Sequence, residues 1–408
     1  MACHRETGSL VAASTQPQAF VLFNDEDVPV EEPGADPSTT YSERGALELF
    51  GRLGEAPVHG YEFAANETVC ALHTGALDTQ DRASGRRELV LVGTVSAYGE
   101  DRTAAGHMYV FDVIEAVRYA DDRDGDSLRL RLLCREEMRG PVTALGDMNG
   151  YAIAAVGQKL LVRSLEHMEW LVTVAFLDTA YYTSDIQRVK NYLLLTDYHR
   201  GAWFVVFQEE PAQLHLLGRD HYPARLVAGG LLIQREKLAL VTADRDGCLR
   251  LLDYNPSNPT SQGGQRLLVR TEYHNPGEVA TALVLHGRSE PSGERTSSEV
   301  LLACRNGALD VLVPVEERIF QVLQLFQSQL LRSVRHTAGL NPRGFRAVMN
   351  EHVSRPLAKG ILDGHLLHAA ECMSRPKLAL LVQDLRMRTG GVSADGLLHC
   401  LEKLYPWS

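Results

Sequence analysis

The residues best suited to chemistry form one short cluster, Asp197–Arg200, with the sequence Asp-Tyr-His-Arg. A carboxylate, an imidazole and a guanidinium at this spacing could serve general acid–base catalysis. The cluster also lies between two apolar runs, where Asp is favoured because it hydrogen-bonds the backbone of a turn. Asp244–Asp246 occupies the equivalent place in a later repeat, which a structural turn explains better than a catalytic centre does. We therefore predict a turn here and no enzyme activity.

Metal and cofactor chemistry has no support in the motifs. The acidic run Asp121–Asp126 lacks the alternating spacing and the distal Glu of a calcium loop. The seven cysteines include no C-x-x-C pair, which argues against a zinc site and against a disulfide framework. Phosphate-binding, dinucleotide-binding and hydrolase signatures are also absent from the sequence. We expect no metal, no cofactor and a reducing compartment.

A locally basic stretch follows the β-like part of the chain. No aromatic platform of the kind that RNA-recognition modules use lies beside it. Contact with another protein, or plain solvation, is therefore favoured over contact with RNA phosphate. The residues that we predict to bind a partner are Arg332, Arg335, Asn341, Pro342, Arg343, Phe345 and Arg346.

The bulk composition is typical of a globular protein with two or three domains. The chain has 408 residues, of which 45% are apolar and 23% are charged. Its formal net charge of −11 argues against autonomous nucleic-acid binding, because affinity for phosphate depends on clustered Lys and Arg. No run of 18 apolar residues occurs, so the sequence predicts no transmembrane helix and no membrane partner.

A repeat runs through residues 57–314. Each unit has an apolar run, a polar turn, a glycine and a second apolar run, and the glycines are Gly106, Gly157, Gly201, Gly247 and Gly307. Their intervals of 51, 44, 46 and 60 residues are close to the roughly 40–50 residues of a β-propeller blade. Gly tolerates the positive φ of a tight turn, and strands covered on both faces read as continuous apolar runs. We predict a mainly β, WD40-like propeller with about five visible blades; an open β-sandwich is the alternative.

Composition divides the chain into three parts. Residues 1–56 are rich in Pro, Gly, Ser, Thr and acidic side chains, so we expect a low-complexity, poorly ordered segment before the propeller of residues 57–314. Residues 315–408 are predicted to form a small α-helical domain, with helices over Val315–Val334, from Asn341-Pro342 onward, near Asp363–Cys372, and over Pro376–Arg388 and Ser393–Leu404. The wide apolar face of the first helix should be buried, on the propeller or on a partner.

Several short segments, in a fixed order from about Tyr61 to the chain end, carry a family resemblance. They include VGT at Val92–Thr94, FDVIE at Phe111–Glu115, GPVTAL at Gly140–Leu145, AFLDTAYY at Ala175–Tyr182, VKNYLLLTD at Val189–Asp197, GRD at Gly218–Asp220, ILDGHLL at Ile361–Leu367 and HTAGLNPRGFR at His336–Arg346. Together they resemble the family that includes the largest subunit of the cleavage and polyadenylation specificity factor, the large subunit of the DNA damage-binding complex and the third subunit of splicing factor 3b. HTAGLNPRGFR is similar to the first of these.

The resemblance implies a seven-bladed propeller followed by a helical domain, without enzyme activity. It implies a nuclear scaffold for mRNA 3′-end cleavage and polyadenylation, whose partners are a WD-repeat subunit, a zinc-finger subunit and a nuclease subunit, with RNA contact indirect or weak. SRPK at Ser374–Lys377 is more similar to the DNA damage-binding relative. An adaptor of that ubiquitin-ligase type, or a splicing factor 3b-type scaffold, is therefore the alternative function.

Overall fold

The computed structural model describes residues 1–21, 41–52, 56–79, 85–99, 102–115, 128–234, 237–275, 277, 279–286, 298–334, 344, 346, 348–349, 354–355, 360–389, 396–399 and 401. The chain separates into two compact units, Met1–Leu217 and Gly218–Ser408. Our predicted domain boundaries at residues 57 and 315 were placed where the sequence pattern changes, first to β-like and then to helical, and they stay a prediction.

The first unit consists of four-stranded antiparallel sheets in which neighbouring strands follow one another along the chain. The first sheet has β1 (Ala2–His4), β2 (Ser9–Ala19), β3 (Tyr41–Phe50) and β4 (Pro57–Glu62), and the second has β5 (Glu67–Asp78), β6 (Arg86–Ser96), β7 (Gly106–Glu115) and β8 (Leu128–Met138). The third has β9 (Val142–Met148), β10 (Tyr151–Val156), β11 (Lys159–Glu166) and β12 (Trp170–Asp178), and the fourth has β13 (Thr183–Val189), β14 (Tyr192–Asp197), β15 (Gly201–Gln208) and β16 (Gln213–Arg219).

The second unit begins with two further sheets and ends in helices. The fifth sheet has β17 (Leu226–Gln234), β18 (Lys237–Asp244), β19 (Cys248–Asp253) and, after a short 3₁₀ helix (Pro259–Ser261), β20 (Leu268–His274). The sixth has three strands, β21 (Val279–His286), β22 (Ser298–Cys304) and β23 (Leu309–Leu312). Then follow α1 (Glu317–Ser333), the short paired strands β24 (Val348–Met349) and β25 (Ser354–Arg355), α2 (Gly364–His368) and α3 (Arg375–Thr389).

Neighbouring sheets of the first unit pack face to face through their middle strands. In β6, Leu89 and Leu91 lie in the core shared with the third sheet, whereas Val90 and Val92 lie in the core shared with the first. Successive side chains of a strand point to opposite faces, so a strand covered on both faces must be apolar throughout. The first strands β5, β9 and β13 contact one another in sequence, as the inner strands of successive blades do. The fold is therefore mainly β and propeller-like, as predicted.

The repeated glycines all lie where the third strand of a sheet begins or in the turn just before it, as expected from the pattern. Gly157, Gly201, Gly247 and Gly307 have positive φ, which explains why the turn needs Gly there. Gly106 is required for a different reason. A Cβ at Gly106 would lie 2.3 Å from the carbonyl oxygen of Thr94, so the close approach of two backbones excludes any side chain.

The N-terminal segment differs from our expectation. Residues 1–56 were expected to be poorly ordered, yet they contain β1, β2 and β3, and Val11, Leu47 and Leu49 are completely buried. β2 pairs with β3 over the full length of β3, from Leu10 opposite Phe50 to Ala19 opposite Tyr41. Local composition missed this sheet because its pairing joins strands that are far apart in the sequence. Residues 22–40, which include the acidic side chains between Asp25 and Asp36, lie outside the described residues.

The helices of the second unit form a core of their own. Leu323, Phe326 and Leu330 of α1 are fully buried against α2, α3 and the helical residues 396–399. These helices therefore bury the apolar face of α1, which we had predicted to pack on the propeller or on a partner. The helices predicted near Asp363–Cys372 and over Pro376–Arg388 match α2 and α3, whereas the helix predicted from Asn341-Pro342 lies largely outside the described residues.

Candidate functional site

The structure describes two of the seven residues predicted to bind a partner. Arg332 is exposed in the last turn of α1, where its positive charge is favourable beside the C-terminal carbonyl groups. Arg346 is instead largely enclosed within the second unit. The other five lie outside the described residues: Arg335, Asn341, Pro342, Arg343 and Phe345.

Arg346 joins the fifth sheet to the helical core. Its Nε donates to Asp363 Oδ2 at 3.2 Å, its guanidinium lies 4.9 Å from the centre of the Tyr273 ring, and its carbonyl oxygen accepts the N–H of His274 at 3.1 Å. Burial, together with the nearby positive charge of Arg346, lowers the pKa of His274. The Arg346 guanidinium therefore holds the fifth sheet and the helical core together, and only its exposed edge is accessible to a partner.

Asp363 is the acidic residue of the ILDGHLL segment, and it binds several groups of the second unit. Its side chain caps α2 by accepting the N–H of His365 at 3.1 Å, while its own N–H donates to the side chain of Gln327 in α1 at 2.8 Å. The carboxylate also holds Arg346. One residue thus ties three parts of the second unit together.

The cluster that could have served acid–base chemistry is a turn, as predicted. Asp197 Oδ2 accepts the N–H groups of Tyr181 and Tyr182 at 3.0 and 2.9 Å. Asp197 Oδ1 accepts those of His199 and Arg200, both at 2.8 Å. A buried carboxylate with four N–H donors is committed to the backbone, so it cannot act as an accessible base. What the turn presents to solvent is two tyrosines, a histidine and an arginine.

A second buried acid, Glu67, organises the second sheet. Its carboxylate accepts from Thr94 Oγ1 at 2.5 Å, from the His107 ring at 3.0 Å and from the Tyr109 hydroxyl at 2.9 Å. Burial by itself would raise the pKa of Glu67, but the hydrogen bonds from His107 and Thr94 outweigh it and the pKa is lowered. The VGT segment thus supplies a structural hydroxyl. Nothing in the sequence pattern identified Glu67 as its partner.

The second unit contains a buried arginine that the sequence analysis also missed. Arg250 lies 3.3 Å from Asp220 and 3.4 Å from Glu272, and its guanidinium stacks 4.1 Å from the centre of the Tyr222 ring. Burial raises the pKa of Asp220, although Arg250 and the N–H of Tyr222 oppose that rise. Asp220 of the GRD segment thus balances the buried charge of Arg250.

The described residues offer little for metal or covalent chemistry. They contain no group of three or more His, Cys, Asp or Glu side chains placed to hold a metal ion. The six cysteines within them are free thiols, and burial raises the pKa of Cys134 to about 11 and that of Cys248 to about 12. No described helix is long and apolar enough to cross a membrane.

Repeated four-stranded sheets whose polar residues hold turns and buried ion pairs define a propeller-type β protein with a helical C-terminal part. The chain belongs to the CPSF A subunit family, because the family model described as the CPSF A subunit region matches residues 44–369. That match covers most of the described sheets and extends into the helices.

Curated relatives agree with this assignment. Protein cft1 of Aspergillus niger is 32% identical over 356 residues, which cover 83% of this chain and 25% of the relative. Protein cft1 of Schizosaccharomyces pombe is 32% identical over 338 residues, covering 81% and 23%. Protein CFT1 of Yarrowia lipolytica is 32% identical over 392 residues, covering 94% and 30%. The chain spans about a quarter of the length of these relatives.

Proposed function

We propose that the chain acts as a non-catalytic scaffold in nuclear mRNA 3′-end cleavage and polyadenylation. The observation that carries this proposal is the match of residues 44–369 to the CPSF A subunit region. The proposed partners are the WD-repeat, zinc-finger and nuclease subunits of that machinery. The proposed site includes Arg332 and the neighbouring segment that ends at Arg346.

The chemistry of the fold supports a scaffold over an enzyme. Three buried ionisable groups, Glu67, Asp197 and Arg250, each bind other groups of the chain. A catalytic acid or base must reach a substrate, and these three cannot. Proteins built from stacked repeats instead typically present extended surfaces that hold partners.

Purification of the tagged full chain from its own cells, followed by mass spectrometry, tests the partners. Recovery of the WD-repeat, zinc-finger and nuclease subunits would support the scaffold, and depletion should leave poly(A)-site reporter transcripts uncleaved. Recovery of spliceosomal or ubiquitin-ligase subunits with normal reporter cleavage would overturn the proposal in favour of the alternative function.

The partner site is tested by charge reversal. Arg332→Glu combined with Arg343→Glu should reduce recovery of the subunits. The introduced carboxylates would repel the acidic partner surface that the two arginines are proposed to contact. Lys190→Glu, an exposed cation at the turn between β13 and β14, is the matched control and should leave recovery unchanged. Equal recovery with all variants would exclude this segment from the interface.

A further inference from the structure

A cleft lies between the end of β5 in the second sheet and the end of β11 in the third, and we call it the Thr79 cleft. Its volume is about 320 Å³, which is at the lower end of the range found for small-ligand sites. None of its residues belongs to the partner-binding segment predicted from the sequence. The described residues that line the cleft are Asp78, Thr79, Ser164, Leu165, Glu166 and His167.

The inner part of the Thr79 cleft contains a buried hydroxyl group that lacks a hydrogen-bond partner. Thr79 is 8% exposed, and within the described part of the chain no group hydrogen-bonds its Oγ1. Leu165 is 7% exposed and belongs to the apolar core shared by the second and third sheets. A buried polar atom without a partner costs free energy, which a hydrogen bond from a ligand would recover. The cleft therefore offers a ligand both an apolar wall and an unused hydroxyl.

The exposed rim of the Thr79 cleft is acidic. Asp78 has a side chain that is 55% exposed, and its Oδ1 accepts a hydrogen bond from Arg86 Nε at 2.8 Å. Glu166 is also exposed, and among the described residues no cation pairs with its carboxylate. Glu169 adds a further exposed carboxylate in the turn that follows β11. Because a cleft lined by charges of one sign concentrates ions of the opposite sign, this rim favours a cationic ligand.

Backbone contacts hold both sides of the Thr79 cleft in place. On one side, the Asp78 N–H donates to the carbonyl oxygen of Gly150 at 2.9 Å. A Cβ at Gly150 would lie 2.1 Å from Asp78 Cγ, so the absence of a side chain there lets the carboxylate lie against the backbone. On the other side, the carbonyl oxygen of Glu166 accepts the N–H of Glu169 at 3.0 Å and closes a tight turn. Such preorganisation lowers the entropy that a ligand must overcome on binding.

The groups of the Thr79 cleft match a guanidinium better than an ammonium. A guanidinium presents five N–H donors in one plane and can bind several acceptors at once, whereas an ammonium is a compact charge with three donors. The carboxylates of Asp78 and Glu166 supply acceptors at the rim, and the Thr79 hydroxyl supplies one inside. The methylene groups of an arginine side chain can pack along an apolar wall such as Leu165.

We infer that the Thr79 cleft binds the side chain of an arginine that a partner polypeptide presents. Its guanidinium pairs with Glu166 and Asp78 and donates to Thr79 Oγ1, while its methylene groups contact Leu165. Free arginine fits less well, because its own carboxylate would meet the acidic rim, and this carboxylate is absent from an arginine within a polypeptide. The proposed scaffold function assigns no role to this cleft, since its proposed site lies in residues 332–346.

NMR spectra of the full chain, labelled at its Leu and Thr methyl groups, test the inference with Nα-acetyl-arginine methylamide as the probe. The methyl resonances of Thr79 and Leu165 should shift and saturate with a Kd on the order of 1 mM, as expected for a ligand of about 15 non-hydrogen atoms. The citrulline analogue keeps the shape but lacks the charge, and it should give no saturable shift. The lysine analogue and free arginine should both bind more weakly than the probe.

Three variants separate the rim from the inner hydroxyl. Glu166→Gln should weaken binding of the probe by about tenfold, because a charged hydrogen-bond acceptor is lost. Thr79→Val removes the hydroxyl but keeps the shape, so it should weaken binding and leave the thermal midpoint of the unliganded chain unchanged or higher. Asp178→Asn is the matched control. Its side chain is 74% exposed at the opposite end of the third sheet, and the substitution should leave binding unchanged.

The inference is overturned if the shifts map away from the Thr79 cleft, if the citrulline analogue binds as well as the probe, or if Glu166→Gln and Asp178→Asn have equal effects. A lower thermal midpoint in Thr79→Val would also contradict it, because the hydroxyl would then have a partner inside the chain. Tighter binding of free arginine than of the probe would assign the cleft to a small molecule and not to a polypeptide. These measurements use the chain alone, so this site and the proposed scaffold can fail separately.

Discussion

Arg250 and Asp220 form an ion pair in which both side chains are almost fully buried, with 2% and 4% of their surfaces exposed and 3.3 Å between the charged atoms. Removing one member of such a pair leaves an uncompensated buried charge, which typically costs about 3–5 kcal/mol. Arg250→Ala should therefore lower the free energy of unfolding by about that amount in urea titrations followed by circular dichroism.

The matched control for Arg250 is Arg270 on the neighbouring strand β20. Its side chain is 52% exposed and lies 3.9 Å from Asp253, so Arg270→Ala should cost less than about 1 kcal/mol. If both substitutions lowered the free energy of unfolding equally, the buried ion pair would contribute no more to the stability of the fifth sheet than the exposed one does.

Asp197→Ala should loosen the turn between β14 and β15 and the segment that leads into β13. The substitution leaves four N–H groups without their acceptor, and an unsatisfied buried donor costs about 1–3 kcal/mol. Hydrogen exchange should rise in peptides that cover residues 181–182 and 199–200. Asp178→Ala, at an exposed position, is the control, and faster exchange in both variants would contradict the role assigned to Asp197.

Glu67 should make stability depend on pH in the acidic range. Its pKa in the folded chain lies below the ordinary value of 4.5. The carboxylate therefore contributes stability that is fully present above pH 4.5 and is lost as the pH falls through the lowered pKa. In Glu67→Gln this loss is absent, so the free energy of unfolding should fall less between pH 7 and the acid limit than it does in the unaltered chain.

The comparison for Glu67 is Glu62→Gln, which removes an exposed carboxylate of the first sheet. Urea titrations at a series of pH values measure both variants. If Glu67→Gln follows the same acid profile as the unaltered chain, the hydrogen bonds from His107 and Thr94 do not control the titration of Glu67.

Two glycines of the repeat should respond differently to a methyl group. In Gly106→Ala, the Cβ would lie 2.3 Å from the Thr94 carbonyl oxygen and 2.8 Å from that of Gly140, so two backbones must move. We expect a loss of about 3 kcal/mol, at the upper end of overpacking costs. Gly157→Ala meets no atom within 4 Å and should cost about 1 kcal/mol, for its positive φ alone. Thermal unfolding measures both, and a reversed order would contradict the close approach at Gly106.

The repeat was predictable because its signal is local. Gly157, Gly201, Gly247 and Gly307 mark turns that join adjacent strands, and the apolar runs around them follow from packing on both faces. β2 and β3 gave no comparable signal, because they pair across a long connection and β2 carries small and polar residues. A composition typical of disorder can therefore hide a strand whose partner is far away in the sequence.

The candidate sites were harder to predict, because charge in the sequence does not reveal burial. Arg346 was predicted to bind a partner as part of a basic stretch, yet its guanidinium contacts Asp363 and Tyr273 inside the second unit. Asp197 was predicted as a turn residue, because a repeat supplied a second example at Asp244. Glu67 had no such repeat, and the three side chains that hydrogen-bond it are 27 to 42 residues away in the sequence.

Phe326 should be a principal anchor of the helical core. It is fully buried on α1 among side chains of α2 and α3, so Phe326→Ala should create a cavity and cost about 3–5 kcal/mol. Leu380→Ala on α3 is the control, because that side chain is 66% exposed and its loss should change stability by less than about 0.5 kcal/mol. Urea titration gives the free energies, and hydrogen exchange in peptides from α1 and α3 localises the effect. If Phe326→Ala left exchange in both helices unchanged, the apolar face of α1 would have to be stabilised by something other than these helices.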